Sequence, residues 1–167
     1  MNTRVVKQKH GPEILVRPLL PGDTATVQAV FERLGAASRR ARFNGAKHRL
    51  GEKELRWLAA VGASHHALVA YVEGDPAPVA IARFVRFGGG GEIAFEVADA
   101  YQGLGIGSAL TRELVADVCA AGVVEITALV RSDNPAALAV LRCALGRLEL
   151  RIDGSETFVR ALLPARC

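Results

Sequence analysis

Three glycines stand close together in the segment YQGLGIGSAL, residues 101–110, at Gly103, Gly105 and Gly107. An alternating apolar segment precedes them and a helical pattern follows, so they form a turn between a strand and a helix. The first amide N–H groups of a helix lack an intrahelical acceptor, and the helix dipole adds partial positive charge there. Because glycine has no Cβ, a ligand can approach these groups closely. The segment therefore predicts a phosphate or pyrophosphate site, the alternative being a tight turn that binds nothing.

Two familiar phosphate-binding loops do not fit this segment. A dinucleotide-binding loop needs glycines at relative positions one, three and six, but the sixth position holds Ser108 or Leu110, depending on which glycine is counted first. A P-loop needs a lysine directly after its last glycine, and Gly107 is followed by Ser108. The turn is therefore neither a dinucleotide-binding loop nor a P-loop.

The elements before the turn follow from periodicity and from residues that break helices and strands. EILVRPL predicts a strand, and Asp23 or Thr24 can cap a helix that ends near Leu34. A basic, partly helical segment at 38–43 comes next, then a helix in GEKELRWLAAV with Leu58 and Trp57 among the candidates for its buried face. Two strands of a hairpin follow, with HALVAYV before and VAIARFVRF after a turn at 74–76.

The elements around and after the turn are read in the same way. Glycines 88–91 predict a loop, and EIAFEVAD then alternates, with Ile93, Phe95 and Val97 on one face and Glu92, Ala94 and Glu96 on the other. A helix runs from about 105 to 121, VVEITALV is a strand, and SDNPAALAVLRCAL is a helix with Asn134 near its N-cap. Two short strands, RLELRI and TFVRAL, complete the pattern. This order predicts one mixed α/β domain over residues 1–167.

The motif and its surroundings resemble a known family. Gln102 to Gly107 fit the Gln/Arg-x-x-Gly-x-Gly/Ala signature of the GNAT superfamily of acyl-CoA-dependent N-acyltransferases. The strand before the motif, the strand after its helix and the segment DNPAALAVL resemble the order of elements in that family over nearly the whole chain. The resemblance implies a mostly antiparallel central sheet with helices on both faces. In addition, SRRARF followed by RLGEKELRWL resembles the N-terminal helices of bacterial protein lysine acetyltransferase domains.

The resemblance implies a site for acetyl-CoA. The backbone amides of Gln102, Gly103, Leu104, Gly105, Ile106 and Gly107 would hold its pyrophosphate, helped by Ser108. The pantetheine arm would follow the strand near Val97, whose amide or that of a neighbour would polarise the thioester carbonyl. Asn134 matches an asparagine that contacts the cofactor arm in the family, and it can serve as an N-cap as well.

The resemblance also suggests how the amine would be activated. Glu92 matches a glutamate that acts as general base in the protein-acetylating branch. Glu96 lies on the same face about 13 Å away at the usual strand rise, so it cannot simply replace Glu92. Either glutamate could instead be a solvated strand carboxylate. Two positions depart from the family pattern. Leu141 stands where many members have a tyrosine that serves as the general acid, and Leu104 stands where an arginine is common. Tyr101 and Tyr71 are poor substitutes for that tyrosine.

Composition and charge limit the alternatives. The net charge of +4 fits an anionic ligand or an acidic partner, and six basic residues cluster between 39 and 49 as either a solvated helix face or a wall that attracts phosphate. No aromatic-interleaved nucleic-acid motif accompanies them, so we expect no nucleic acid partner. His and Cys spacings predict no metal. The chain has no apolar run of about 18 residues and no signal-peptide core, so we expect a cytoplasmic protein without a membrane partner.

The sequence thus predicts an N-acetyltransferase that acts on a primary amine. A protein lysine is favoured slightly over a small-molecule amine because of the N-terminal resemblance. The alternative is an acyl-CoA-binding regulatory module without turnover, which the missing tyrosine would explain. Whether the chain is a monomer or a homodimer stays open.

Overall fold

One mixed sheet organises the computed structural model, which describes residues 3–8 and 10–164. In this part of the chain the sheet has eight strands in the order β1-β2-β3-β4-β5-β6-β8-β7, and only the β5–β6 pair is parallel. The strands are β1 (Arg4–Val6), β2 (Ile14–Pro18), β3 (His65–Val72), β4 (Ala80–Phe87), β5 (Gly90–Val97), β6 (Glu125–Arg131), β7 (Glu149–Asp153) and β8 (Glu156–Leu162). The predicted mixed, mostly antiparallel sheet is confirmed.

Five α-helices occur in the described residues, and their ends follow local capping chemistry. They are α1 (Thr24–Glu32), α2 (Ala36–Phe43), α3 (Glu52–Leu58), α4 (Ile106–Ala120) and α5 (Pro135–Leu145). Asp23 caps α1 by accepting a hydrogen bond from the Thr26 amide. Asn134 caps α5, with Pro135 at the first helical position. Both predicted caps are confirmed.

The helices cover both faces of the sheet, as predicted. Alternating strand residues divide the core: Leu68 packs in one apolar cluster with residues of α4 and α5, while Val69 packs in another with residues of α1 and α3. The helix α2 has no fully buried residue. It is therefore held by polar contacts and by partial burial rather than by a deep apolar face. No helix in the described part of the chain is long and apolar enough to cross a membrane.

Three local predictions are corrected by the structure. The strand β1 was not predicted, and it pairs with β2 over only three residues. The predicted glycine loop is shorter, because Gly90 and Gly91 belong to β5. A Cβ at Gly91 would collide with the Phe84 ring and with Val85 O, so the glycine allows these groups to pack against the strand. Trp57, a candidate for the buried face of its helix, is 57 % exposed.

Candidate active site

The central feature of the site is a groove where two parallel strands separate. The register between β5 and β6 covers Gly90–Glu92 and Glu125–Thr127 and ends there, although both strands continue. A groove of about 1180 Å³ opens beyond this point. Its walls come from β5, β6, α2, α5 and the turn at 101–108. The groove therefore lies beside the predicted phosphate site.

The backbone of β5 presents hydrogen-bonding groups to this groove. Ala98 N donates to Val79 O on the β4 side at 2.8 Å, whereas Gly91 O accepts from Thr127 Oγ1 on the β6 side at 3.3 Å. Because the N–H and C=O groups of successive strand residues point to opposite edges, the amides of Ile93, Phe95 and Val97 point towards the groove. A chain-like ligand could pair with this edge as a neighbouring strand would.

The glycines of the turn have separate structural reasons. Gly103 and Gly105 have φ angles of 74° and 80°, in the left-handed region that only glycine adopts without strain. Gly107 lies inside α4, where a Cβ would stand 3.3 Å from Val97 Cγ2, so its absence lets the helix approach β5. The turn could therefore form for conformational reasons alone.

The turn nevertheless leaves a cluster of amides at the groove. Backbone bonding in α4 starts with Ala109 N donating to Gly105 O at 3.0 Å. The amides of Ile106, Gly107 and Ser108 precede that bond and have no acceptor within the helix. All three residues line the groove, as do Gly103 and Gly105. Partial positive charge from α4 therefore points at one end of the groove.

Two residues of the motif are placed differently from the others. The Gln102 amide already donates to Asp99 O at 3.2 Å, and the Gln102 side chain donates to Ser38 Oγ and Val97 O, both at 3.0 Å. Gln102 thus braces the turn against α2 and β5. Leu104 is the predicted site residue that does not line the groove: its side chain is 41 % exposed, and its carbonyl faces Gly11.

Asn134 faces the groove from the start of α5. Its side-chain oxygen accepts from Ala137 N at 3.1 Å, which leaves the carboxamide NH₂ group as the part that can meet a ligand. Two turns further along α5, Leu141 is fully buried in the core. The position of the usual tyrosine is therefore part of the apolar packing.

A second, smaller pocket of about 160 Å³ adjoins the groove. The residues that line both cavities are Arg42, Phe43, Glu92 and Ala94. Glu92 is exposed, and Ala94 stands two residues further along the same face of β5. Glu92 therefore lies at the junction of the two cavities, where the short Ala94 side chain leaves room between them. The smaller pocket is completed by Glu54, Trp57, Leu58, Arg83 and Val85.

The second glutamate of β5 has a structural environment. Glu96 is 7 % exposed and accepts hydrogen bonds from Arg42 Nε at 2.5 Å and from Arg83 Nη2 at 3.0 Å. Burial acts to raise the pKa of Glu96, but the charges and hydrogen bonds of the two arginines outweigh it and the pKa is lowered. The alternative of a solvated carboxylate is therefore wrong for Glu96, which is ionised and fully engaged.

Both tyrosines considered as acids are also engaged. Tyr101 OH donates to Asp75 Oδ2 at 2.6 Å, and this hydrogen bond raises the pKa of Tyr101. Tyr71 OH accepts from Arg17 Nη2 at 2.5 Å. Neither hydroxyl is held ready to protonate a leaving group in the groove, which agrees with the expectation from the sequence.

The helix α2 crosses the groove. Ser38 contacts Gln102 of the turn, Arg42 pairs with Glu96 of β5, and Asn44, which follows the helix, bonds to Glu156 of β8. Two members of the basic cluster around α2 form ion pairs, Arg42 with Glu96 and Lys47 with Glu54, and Arg39 stacks over the Phe31 ring at 4.3 Å. Arg40 remains as a cation that lines the groove. No group of His, Cys, Asp and Glu in the described residues could hold a metal ion.

The profile of the acetyltransferase (GNAT) family matches residues 30–146. The chain belongs to this family, which confirms the family membership that the motif and the order of elements predicted.

Three similar proteins are an acetyltransferase, a GNAT domain and a cAMP-binding acyltransferase. The chain is 33 % identical over 152 residues to the acetyltransferase Pat of Mycolicibacterium smegmatis, covering 89 % of this chain and 45 % of that protein. It resembles the crystal structure of the GNAT domain of S. lividans PAT with a TM-score of 0.86 and 23 % identity, covering 96 % of this chain and 97 % of that one. A cAMP-binding acyltransferase from Mycobacterium smegmatis gives a TM-score of 0.69 and 26 % identity, covering 98 % of this chain and 48 % of the other. The chain thus spans less than half the length of the Pat relative.

Proposed function

We propose that this protein transfers the acetyl group of acetyl-CoA to a primary amine, with a protein lysine favoured over a small-molecule amine. The observation that carries the proposal is the position of Glu92 at the junction of the large groove and the small pocket. The groove would hold the donor and the pocket would admit the amine. Its small volume, its aromatic residues Phe43 and Trp57 and its carboxylates suit an unbranched alkylamine. The similarity to the acetyltransferase Pat supports acetyl transfer as the reaction.

The donor would be held mainly by backbone groups. The amides of Gly103 to Ser108 at the start of α4 would bind its pyrophosphate, and Arg40 on the opposite wall would add positive charge. The amides of Ile93, Phe95 and Val97 and the NH₂ group of Asn134 would orient the pantetheine arm. The bound thioester supplies the acetyl group, and a β5 amide near Val97 would polarise its carbonyl.

Glu92 would supply the proton transfer that the amine requires. A lysine amine with a pKa of about 10.4 is neutral at pH 7 in only about one molecule per few thousand, which corresponds to about 4–5 kcal/mol. Glu92 would remove this proton directly or through a water molecule. The thiolate can leave unassisted, because a thiol with a pKa of about 8.5 is a tolerable leaving group.

The test is a Glu92→Gln variant assayed with acetyl-CoA and lysine peptides. Loss of a general base lowers kcat by about 10²–10⁴-fold, while the affinity for acetyl-CoA measured by calorimetry stays the same, because none of the proposed donor contacts uses the Glu92 side chain. Glu73→Gln, at an exposed glutamate after β3, is the matched control and keeps full activity. Unchanged transfer by Glu92→Gln would disprove its role as the base.

A second function is favoured by one specific observation. Leu141 occupies the place of the family tyrosine, and the hydroxyls of Tyr101 and Tyr71 are engaged elsewhere. A module that binds acyl-CoA without turnover would have no need of an acid. Binding of acetyl-CoA together with no transfer to lysine peptides or to a panel of small amines would select this alternative.

A further inference from the structure

The ammonium group of Lys47 lies against the small pocket. Lys47 Nζ is 2.5 Å from Glu54 Oε1 and 5.9 Å from the centroid of the Phe43 ring. Glu54 and Phe43 both line that pocket, together with Glu92. The ammonium group of Lys47 therefore already lies between a carboxylate and an aromatic ring. This is the arrangement that would bind the alkylammonium group of a substrate.

The segment that carries Lys47 connects α2 to α3 and begins at Asn44, whose φ of 52° ends α2 in the left-handed region. It is tied to the fold by Arg39, which donates to His48 O at 3.1 Å, and by the buried Leu50, so the freedom of Lys47 is that of its side chain. Glu54 anchors the segment at two points, because its Oε2 accepts from Gly51 N at 3.0 Å and its Oε1 binds Lys47. The side chains of Lys47 and Glu54 are 27 % and 43 % exposed, and a partly exposed ion pair of this kind is a weak restraint. Lys47 can leave Glu54 at little cost.

We propose that Lys47 is itself an acceptor, so that the enzyme acetylates its own chain at this residue. The inference rests on the proposed function. Once Lys47 leaves Glu54, Glu92 takes one proton from its ammonium group, the amine nitrogen bonds to the acetyl carbon and releases its second proton to solvent, and the C–S bond of the thioester breaks. The thiolate leaves as coenzyme A and takes a proton from solvent. The products are an amide at Lys47 and free coenzyme A.

Acetylation would change the pocket as well as the lysine. The neutral amide cannot form an ion pair with Glu54, whose pKa is lowered chiefly by its hydrogen bond from Lys47. Glu54 would then be available to an external ammonium group. Self-acetylation would thus release one of the two carboxylates that line the small pocket.

The scarcity of lysine makes the proposal easy to test. The sequence has four lysines, at positions 7, 9, 47 and 53. Lys53 lies in α3 close to the site in sequence, but it is exposed and has no ion pair with Glu54 among the described residues. Lys7 has an 84 % exposed side chain near Glu13. Both therefore report acetylation that depends on exposure alone.

The full chain is incubated with isotopically labelled acetyl-CoA, with and without a lysine peptide, and label is located by mass spectrometry. We expect label on Lys47 at least tenfold above Lys53 and Lys7, at a rate independent of protein concentration. Glu92→Gln and Lys47→Arg should abolish it, whereas Lys53→Arg should retain it. Label that follows exposure and persists in Glu92→Gln would overturn the proposal.

The peptide separates this inference from the proposed function. Acetylation of the peptide without label on Lys47 overturns self-acetylation and leaves the N-acetyltransferase function intact. Absence of label on both, with acetyl-CoA bound, overturns both proposals.

Discussion

Glu92 and Ala94 are neighbours on one face of β5, and both line the groove and the small pocket. In the proposed reaction the carboxylate would stand where the amine meets the thioester, and the methyl side chain would keep that point open. The other same-face residue, Glu96, is withdrawn into ion pairs with Arg42 and Arg83. At the scale of single residues, β5 therefore presents an exposed carboxylate at Glu92, open space at Ala94 and an ion-paired structural carboxylate at Glu96.

Enlarging Ala94 should block the connection between the cavities. In Ala94→Leu the longer side chain would fill the space beside Glu92, so we expect kcat/KM for a lysine peptide to fall at least tenfold, about 1.4 kcal/mol in transition-state stabilisation. The affinity for acetyl-CoA should change less, because the proposed pyrophosphate contacts lie at the start of α4 and the proposed pantetheine contacts on β5 are backbone amides. Steady-state kinetics and calorimetry measure the two quantities.

The matched control for Ala94→Leu is Ala121→Leu, at an exposed position following α4. It adds the same atoms away from both cavities and should leave kinetics unchanged. Full activity of Ala94→Leu would show that the amine does not reach the thioester through this junction.

At the scale of elements, α2 is held across the groove by the polar contacts of its ends and by one buried ion pair. Glu96 joins this helix, through Arg42, to the sheet and to Arg83 of β4. Arg83 also donates to Leu58 O at 2.8 Å, so it connects α3 to the same cluster. The helix α2 beside the groove and the helix α3 beside the small pocket are thus joined through the same ion-paired cluster of Arg42, Glu96 and Arg83.

Removal of Glu96 should be costly. Glu96→Ala would leave two arginines near each other, one of them 2 % exposed, without their carboxylate. Breaking a buried pair in this way lowers the free energy of unfolding by about 3–5 kcal/mol. Glu125→Ala removes another strand carboxylate that pairs with an arginine, Arg160, but at an exposed site, and should cost about 0–1 kcal/mol. Urea denaturation compares them, and equal losses would contradict a special role for the buried cluster.

Asn134 allows capping and ligand binding to be separated. Asn134→Ala should lower the free energy of unfolding by about 1 kcal/mol, because α5 loses its cap. Asn134→Ser keeps a good capping oxygen but loses the NH₂ group that faces the groove. We therefore expect Asn134→Ser to retain stability and to bind acetyl-CoA more weakly than the parent. Unchanged affinity in a stable Asn134→Ser would assign the residue to capping alone.

At the scale of the whole molecule, depressed carboxylate pKa values couple stability to pH. The pKa values of Glu96, Asp23 and Asp117 are all lowered in the fold: burial opposes the shift in each case and is outweighed by arginine partners and hydrogen bonds. The unfolded chain therefore binds protons more readily than the folded chain at acid pH. These groups stabilise the fold above about pH 4 and lose that effect as the pH falls through their folded pKa values.

The free energy of unfolding should therefore be nearly constant just above this range and should fall as the pH drops below about 4. Urea titrations at successive pH values measure it. In Glu96→Gln the acid-dependent loss should be smaller than in the parent, since one contributing carboxylate is gone. A stability that rises on acidification would contradict the direction of all three shifts.

The sequence determined the local framework of this protein. The order of elements after β1, the caps at Asp23 and Asn134 and the strand-turn-helix around Gly103 and Gly105 were predictable, because periodicity, capping and positive φ angles depend on adjacent residues. Reasoning from adjacent residues also led to the wrong prediction of a loop at Gly90 and Gly91. Glycine usually interrupts a strand, and only the packing of Phe84 explains its presence in β5.

Only the tertiary structure decided which charged groups are paired and which face a cavity. Arg42 and Glu96 are 54 positions apart, and no spacing in the sequence indicates that they meet. The junction beside Glu92 and the position of Lys47 against Glu54 likewise depend on how α2 and α3 lie over the sheet. Local hydrogen bonding and side-chain periodicity are determined by short segments of chain, whereas burial and ion pairing arise only when distant segments pack together.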